Sequence, residues 1–332
     1  MFILPLFTTL IGWWQIYHQT DTKICNNGIF LICNEELLKQ ANDVLEQSQW
    51  FHRNSGKDHI TILSSFFYGF NGMNRNFEMF PNLKQCNAIL SESGNKKAIN
   101  DNRISFNAMY IVTGCSETSS IPFKNKTHDT IMVGNLHSRL RKNDRFFQDR
   151  RDICDWTQSQ NFTLKYSMSV CGKGTQCPAL SYSRTGFHVR GDSYGASRLF
   201  HTLLSGTVPI FTHKEQYDAH QSFIDWNKLS FFLGFGNKED GSAQNETSFL
   251  YELDNVLGNR EVIEEKTKMI VENRDLFDWS TIHPFDKYMY MFQAHIYPET
   301  RISQSKYSAL ISPPPIQFER EGNENNDFNK KH

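Results

Sequence analysis

Residues Ser183 to Phe211 constrain the fold more than any other part of this chain. A buried strand is expected over Gly186 to Arg190, followed by a flexible turn from Gly191 to Gly195. A helix from Ala196 to Ser205 comes next, because Leu199, Phe200, Leu203 and Leu204 recur at the spacing of one helical face. Gly206 supplies a stop for that helix, and an apolar strand, Val208 to Thr212, begins at once. Apolar strands alternating with helices mark a parallel sheet and an α/β architecture.

In an open parallel sheet, ligands bind where the carboxyl ends of strands meet the first turns of helices. Gly191, Asp192 and Ser193 are expected there, their backbone N–H groups lying beside the positive end of a helix dipole. Arg198 lies in the first turn of the helix, and helical side chains lean toward the amino end, so its guanidinium reaches the same place. Arg190, at the strand end, offers a second fork. Two arginines at a helix amino end suit a diphosphate and can stabilise it as a leaving group without a metal. The spacing matches neither G-x-x-x-x-G-K-[ST] nor G-x-G-x-x-G, which argues against a P-loop ATPase and a dinucleotide dehydrogenase. The bland alternative is a plain crossover with Arg198 as a solvated surface residue. Arg190-Gly191-Asp192 is also an adhesion-type tripeptide, but it sits at a strand end rather than on a protruding loop.

At 332 residues the chain exceeds the usual span of one core, so two domains are expected. The first, residues 1–127, holds strands at Gly28 to Cys33, Ile60 to Phe67 and Ile104 to Thr113, and a helix at Glu35 to Ser48. The second, residues 128–283, opens with the strand Thr130 to Val133 and a basic helix from Ser138 to Trp156. After the Ser183 to Phe211 segment it continues with a strand at Leu229 to Leu233 and helices at Thr247 to Leu257 and Val262 to Asn273. Residues 284–312 form a helix, Pro284 to His295, and an extension. The charged, Asn-rich tail 313–332 has the composition of a disordered segment.

Lys plus Arg number 35 against 36 for Asp plus Glu, so no global basic field gathers nucleic acid. The seven cysteines are odd in number and contain no C-x-x-C pair, which leaves a zinc site poorly supported. Three acceptor sequons, at Asn125, Asn161 and Asn245, join the cysteines in favouring an oxidising secretory compartment. Met1 to Tyr17 is apolar, but it lacks a basic start and a cleavage pattern and is short for a membrane span. The expectation there is a buried helix at the edge of the first domain, with the chain beginning downstream of an anchor.

Phe187, Gly191-Asp192-Ser193, Arg198-Leu199-Phe200 and Gly206-Thr207-Val208-Pro209-Ile210-Phe211 together resemble the exostosin-like family of inverting glycosyltransferases. Trp50 to His59 is similar to a Trp-x-[Arg/Asn]-x-x-Gly-[Gly/Arg/Lys]-Asp-His stretch of that family, and Ile224-Asp225-Trp226 resembles the segment after its donor motif. The resemblance spans roughly Tyr17 to His295. It implies a GT-B fold of two Rossmann-like domains facing across a cleft. It also implies a nucleotide-sugar donor, UDP-linked, in the second domain, a glycan or glycoprotein acceptor, no cofactor, and a lumenal catalytic domain in the Golgi membrane. Two departures stand out. The family's acidic residue after Arg-Leu-[Phe/Tyr], a ribose ligand, is His201 here, and the family's N-terminal strand and anchor are not evident.

No Asp-x-Asp occurs in the chain, so the metal-binding signature of the other common glycosyltransferase fold is absent. Inversion needs a base for the acceptor hydroxyl, and Asp58 and His59 are the candidates, against a turn aspartate beside a structural histidine. Two other functions fit less: a catalytically silent glycan- or nucleotide-sugar-binding member of the same fold, and an unrelated phosphate-ligand enzyme.

Overall fold

The computed structural model describes residues 2–4, 33–56, 59–63, 81–85, 87–90, 105–107, 121–137, 145–174, 176–189, 196–213, 216, 224–234 and 245–278. In the first part, strands β1 (Phe2–Leu4), β2 (His59–Leu63), β3 (Asn87–Leu90) and β4 (Ser105–Asn107) form one parallel sheet in that order. Helices α1 (Cys33–Gln47) and α2 (Gln49–Arg53) lie between β1 and β2 in the chain. The expected helix at Met1 to Tyr17 is therefore corrected at its start. Phe2 to Leu4 pair in parallel with His59 to Thr61, an arrangement open to three apolar residues that a proline follows. An N-terminal strand, not evident from the sequence, is thus present. β3 has no counterpart among the expected strands.

The second part is described over more of its length. Its strands are β5 (Thr130–Val133), β6 (Met168–Gly172), β7 (Thr185–His188), β8 (Val208–Phe211) and β9 (Phe231–Phe232). β5 pairs in parallel with β6, and β7 with β8 and β8 with β9. The two groups join edge to edge. A parallel bridge links His128 to Ser183, and the N–H groups of Arg184 and Thr185 donate to His128 O and Asp129 O at 2.9 and 3.0 Å. The resulting strand order is β6-β5-β7-β8-β9, all parallel, which is the doubly wound pattern.

The helices are α3 (Arg145–Thr157), α4 (Gln160–Thr163), α5 (Gln176–Ser181), α6 (Ser197–Leu204), α7 (Trp226–Leu229), α8 (Glu246–Gly258) and α9 (Arg260–Glu272). They cover both faces, as alternation in the strands requires. Met132, Phe187, Val189 and Ile210 point to one side, into a core shared with Ile153 and Cys154 of α3 and Phe249, Leu253 and Leu257 of α8. Ile131 and Val133 point to the other, against Leu180 of α5. On that side α9 packs on α6 and β8. Phe187, Phe200, Phe211 and Phe249 are almost wholly buried, each contributing roughly 1.5–3 kcal/mol through its apolar surface.

Gly206, at φ +62°, ends α6 as expected, its N–H donating to Leu203 O at 2.9 Å. Leu229 to Leu233 is corrected: helix α7 occupies Trp226–Leu229 and only Phe231–Phe232 is strand. The Asp225 side chain accepts from Asn227 N–H and Ser230 Oγ closes the turn onto Trp226 O, so local capping overrides the apolar run. The helix expected from Ser138 is described only from Arg145. β6 and α5 have no counterpart among the expected elements. Four of the five β6 residues are only half-buried, as befits an edge strand without a continuous apolar run. Residues 284–332, with the expected last helix and tail, lie outside the described residues.

Two features brace this sheet. A disulfide joins Cys154 of α3 to Cys171 of β6, 17 residues apart, and closing a loop of that length is worth about 3 kcal/mol. Lys126, 1% exposed, sends its Nζ to Ser181 O, Ser183 O and Ser205 O at 2.9, 3.0 and 3.3 Å, and to Thr207 Oγ1 at 3.4 Å. One ammonium thus holds the chain before β5 to the ends of α5 and α6 and the starts of β7 and β8. Burial, and after it the neighbouring Arg184, push Lys126 down to about 7.

Candidate functional site

The chain leaves β5, forms β6 on one side, and returns to form β7 on the other. Strand order therefore reverses between β5 and β7, and at such a switch point the loops splay apart and open a crevice at the carboxyl ends. Gly134 follows β5 there, and Val189 follows β7.

Two guanidinium groups fill this place. Arg198, in the first turn of α6, donates from Nη1 to Val189 O at 3.2 Å. Arg150, from the first half of α3 and 4% exposed, donates from Nη1 to Asn135 O at 2.8 Å. Both converge on Gly134. A Cβ placed at Gly134 would lie 2.9 Å from Arg198 Nη2 and 3.5 Å from Arg150 Nη1, so glycine is what lets the guanidinium approach the strand end. Among the described residues no carboxylate pairs with Arg198. Burial, and after it Arg150, push Arg198 down to about 9, which leaves it a cation at neutral pH. Two cations held close together, Arg150 buried and Arg198 half-buried, are stabilised by a bound anion, and planar forks suit phosphate oxygens.

The supports of Arg150 are ordered too. Asp149 accepts from His213 Nε2 at 2.8 Å, and His213 Nδ1 sits 2.9 Å from Thr212 Oγ1, all buried. This pair ties the chain just past β8 to the first half of α3. Arg151 Nη1 donates to Leu136 O at 2.8 Å, so α3 grips the chain after β5 at two successive carbonyls. Arg150 also lies over the Phe147 ring at 5.0 Å. At the amino end of α6, Ala196 provides no side-chain cap. Of the first-turn N–H groups, that of Leu199 donates to Ala196 O at 3.0 Å, and those of Ser197 and Arg198, which have no partner among the described residues, face the place where an anion would sit.

His201 lies one turn after Arg198 on α6 and is half-buried, with Nδ1 sheltered and without a hydrogen-bond partner among the described residues. Burial lowers its pKa below the ordinary 6.5, so the imidazole is neutral at pH 7. No hydrogen bond joins it to Arg198. Asp58, Arg190, Gly191, Asp192 and Ser193 lie outside the described residues. His59 opens β2 at its amino end, buried, with its ring edge-on to Phe51 at 5.0 Å. Sequence reasoning missed Arg150, Asp149 and His213. The one signal for Arg150 was the basic helix after the first strand of the second domain. Placing that helix at the crevice required β6, which was not foreseen.

Among the described residues, no group of three or more His, Cys, Asp or Glu side chains is arranged to hold a metal ion. No helix among them is long and apolar enough to cross a membrane.

No protein-family model and no curated protein sequence matches the chain. Solved structures do. The chain is similar to a point mutant of Staphylococcus aureus TarM in complex with fondaparinux, alpha-GlcNAc-glycerol and UDP. That likeness has 11% identity and a TM-score of 0.40 and covers 70% of this chain and 50% of the other, so the chain spans half the length of that structure. It is also similar to Anabaena Alr3699/HepE in complex with UDP, at 9% identity and a TM-score of 0.44, over 77% of this chain and 76% of the other. A third is an alpha-glucosyltransferase in complex with UDP-glucose and DNA containing an abasic site, at 9% identity and a TM-score of 0.39, over 77% and 76%. These scores describe a partial likeness between α/β chains, and the switch-point geometry is this chain's own.

Proposed function

We propose that the chain is a nucleotide-sugar-dependent glycosyltransferase of GT-B type, with the donor diphosphate held at the switch point by Arg198 and Arg150. The observation that carries this is the convergence of both guanidiniums on Gly134, at the carboxyl ends of the strands where order reverses. The exostosin-like motif over Phe187 to Phe211 supports it, since that motif is the segment that builds β7, α6 and β8. In transfer, the two forks would take up the charge that appears on the diphosphate as the sugar leaves, while the acceptor hydroxyl attacks from the opposite face. The acceptor is a glycan or glycoprotein and the transfer inverts the anomeric carbon, both by resemblance to the family. Asp58 and His59 are the proposed base, and the packing of His59 on Phe51 favours Asp58 of the two. The Cys154–Cys171 disulfide supports placement in the oxidising lumen of the Golgi.

A thermal-shift screen of nucleotide sugars tests the donor site, because a bound donor stabilises by mass action, roughly 2.7 kcal/mol at a hundredfold excess over Kd. A UDP-sugar is expected to raise the melting temperature, with nicotinamide dinucleotides and ATP inert. A response to ATP or NAD alone would count against a glycosyl donor site.

Because guanidiniums rather than a divalent ion meet the leaving group, turnover is expected to survive EDTA. Loss in EDTA with recovery on adding manganese would overturn that part of the mechanism.

His201 is proposed as the ribose contact. Its neutral imidazole accepts a hydroxyl hydrogen bond and its protonated form cannot. Since burial lowers its pKa, donor affinity should hold steady from pH 7.5 to about 6.5 and weaken only below that, measured by calorimetric titration. In His201→Glu the acid-side loss should vanish with affinity retained or improved. An unchanged pH profile in that variant would place His201 outside the site.

A further inference from the structure

On the outer face of the second part, α4, the turn into β6 and α8 enclose a groove of about 610 Å³. That lies within the roughly 300–1,000 Å³ span of small-molecule sites. Two features are unusual for a solvent-facing groove. Leu164 and Tyr251 border it while 77% and 70% exposed. Tyr166 Oη and Lys165 Nζ both donate to the same oxygen of Asp254, at 2.8 and 3.1 Å. An apolar face beside an ordered carboxylate is how proteins hold a sugar ring: the ring's C–H face lies on the aromatic and its hydroxyls meet the acid.

The occupant is suggested by the groove's own rim. Asn161, the first residue of the sequon Asn161-Phe162-Thr163, lines it, is exposed, and makes no side-chain hydrogen bond among the described residues. Glu246 and Thr247, of the sequon that begins at Asn245, line it too. Asn245, however, accepts from Ser248 N–H at 2.9 Å as the cap of α8, so its side chain is engaged. Asn125 lies elsewhere, in the short 3-10 turn Phe123–Asn125 before β5. Among the described residues, the sequon of Asn161 is the one that combines a free amide with an adjoining sugar-sized groove.

We propose that Asn161 carries an N-linked glycan whose first sugars lie along this groove, over Leu164 and Tyr251. In the attachment, Asn161 Nδ2 forms a bond to the anomeric carbon of an oligosaccharide carried on a lipid pyrophosphate. The bond from that carbon to the phosphate oxygen breaks, the amide gives up one proton, and the lipid pyrophosphate leaves. The inference rests on the secretory placement proposed above.

The full chain, secreted from insect cells behind a cleavable leader, provides the test. Glycopeptide mass spectrometry should find Asn161 occupied, and Asn161→Gln and Thr163→Ala should each remove one glycan. Trimming with an endoglycosidase that leaves a single N-acetylglucosamine should leave the melting temperature unchanged. Tyr251→Ala should lower it by roughly 2–4 °C in the glycosylated protein and hardly at all on the Asn161→Gln background. An unmodified Asn161, or equal effects of Tyr251→Ala on both backgrounds, would overturn the inference. Donor binding measured on the same preparations keeps the two readings apart. Donor shifts with Asn161 bare sink this inference alone, and an occupied, coupled Asn161 without donor shifts sinks the transferase reading alone.

Discussion

Arg198→Met is expected to lower turnover by about 10²–10³-fold, the usual loss when a preorganised donor to a developing anion is removed. Its melting temperature should stay level or rise slightly. The substitution keeps most of the stem and removes a half-buried cation that has a second guanidinium beside it and no carboxylate among the described residues. Loss of function without loss of stability is what distinguishes a ligand-facing charge from a structural one. Gly134→Ala sharpens the test, because the added methyl falls 2.9 Å from Arg198 Nη2, the mobile end of a side chain. The fork can swing aside at little cost, so the fold should tolerate the change while donor affinity drops at least about tenfold. If Arg198→Met bound donor normally, or melted more than about 5 °C lower, the guanidinium would have to be reassigned to holding α6 on the sheet.

The largest stability effect is expected at Lys126. Lys126→Met removes the donor for the buried carbonyls of Ser181 and Ser205 and should cost about 2–5 kcal/mol by urea unfolding at pH 9. The pH dependence separates this from mere repacking. Lys126 titrates near 7 in the folded chain and near 10.5 in the unfolded one. Between those values the unfolded chain holds more protons, so this group makes stability rise with pH from about 7 to about 10.5. Below pH 7 both states are charged and the burial penalty is at its full. The other charges close by are Arg184, whose guanidinium also donates to Lys126 O, and Asp129, paired with Arg184 at 2.8 Å. Both remain in the variant. The gap between the two proteins should therefore widen from pH 6 to pH 9, and parallel stability curves would show that the ammonium is not strained by its burial.

The parts of this fold that were legible in advance are those in which one signal dominated. Thr130 to Val133 and Val208 to Phe211 are short apolar runs bounded by turn residues, and both became central strands with every residue buried. The stripe Leu199, Phe200, Leu203, Leu204 produced α6, and Gly206 stopped it where expected. What stayed hidden depended on partners far along the chain. Met168 to Gly172 carries a serine and a terminal glycine and becomes a strand by pairing with Thr130 to Val133 rather than by composition. Without it the reversal of strand order could not be seen, and Arg150 remained one basic residue among several. Phe2 to Leu4 likewise reads as the start of a longer apolar segment until β2 is there to pair with it.

The strand order also has a consequence for how the chain is made. β5 is complete when residue 133 emerges, and β6 closes one of its edges some 35 residues later, but the other edge waits for β7. In that interval a short, wholly buried-type strand presents open N–H and C=O groups, the surface on which nascent chains most readily join one another. The same wait governs the switch point, since residues 134, 150 and 198 come together only after β7 has docked and α6 has folded back. The meeting of the two guanidiniums is thus among the last things this part of the chain can build, and any nascent fragment short of Arg198 carries the exposed edge without it.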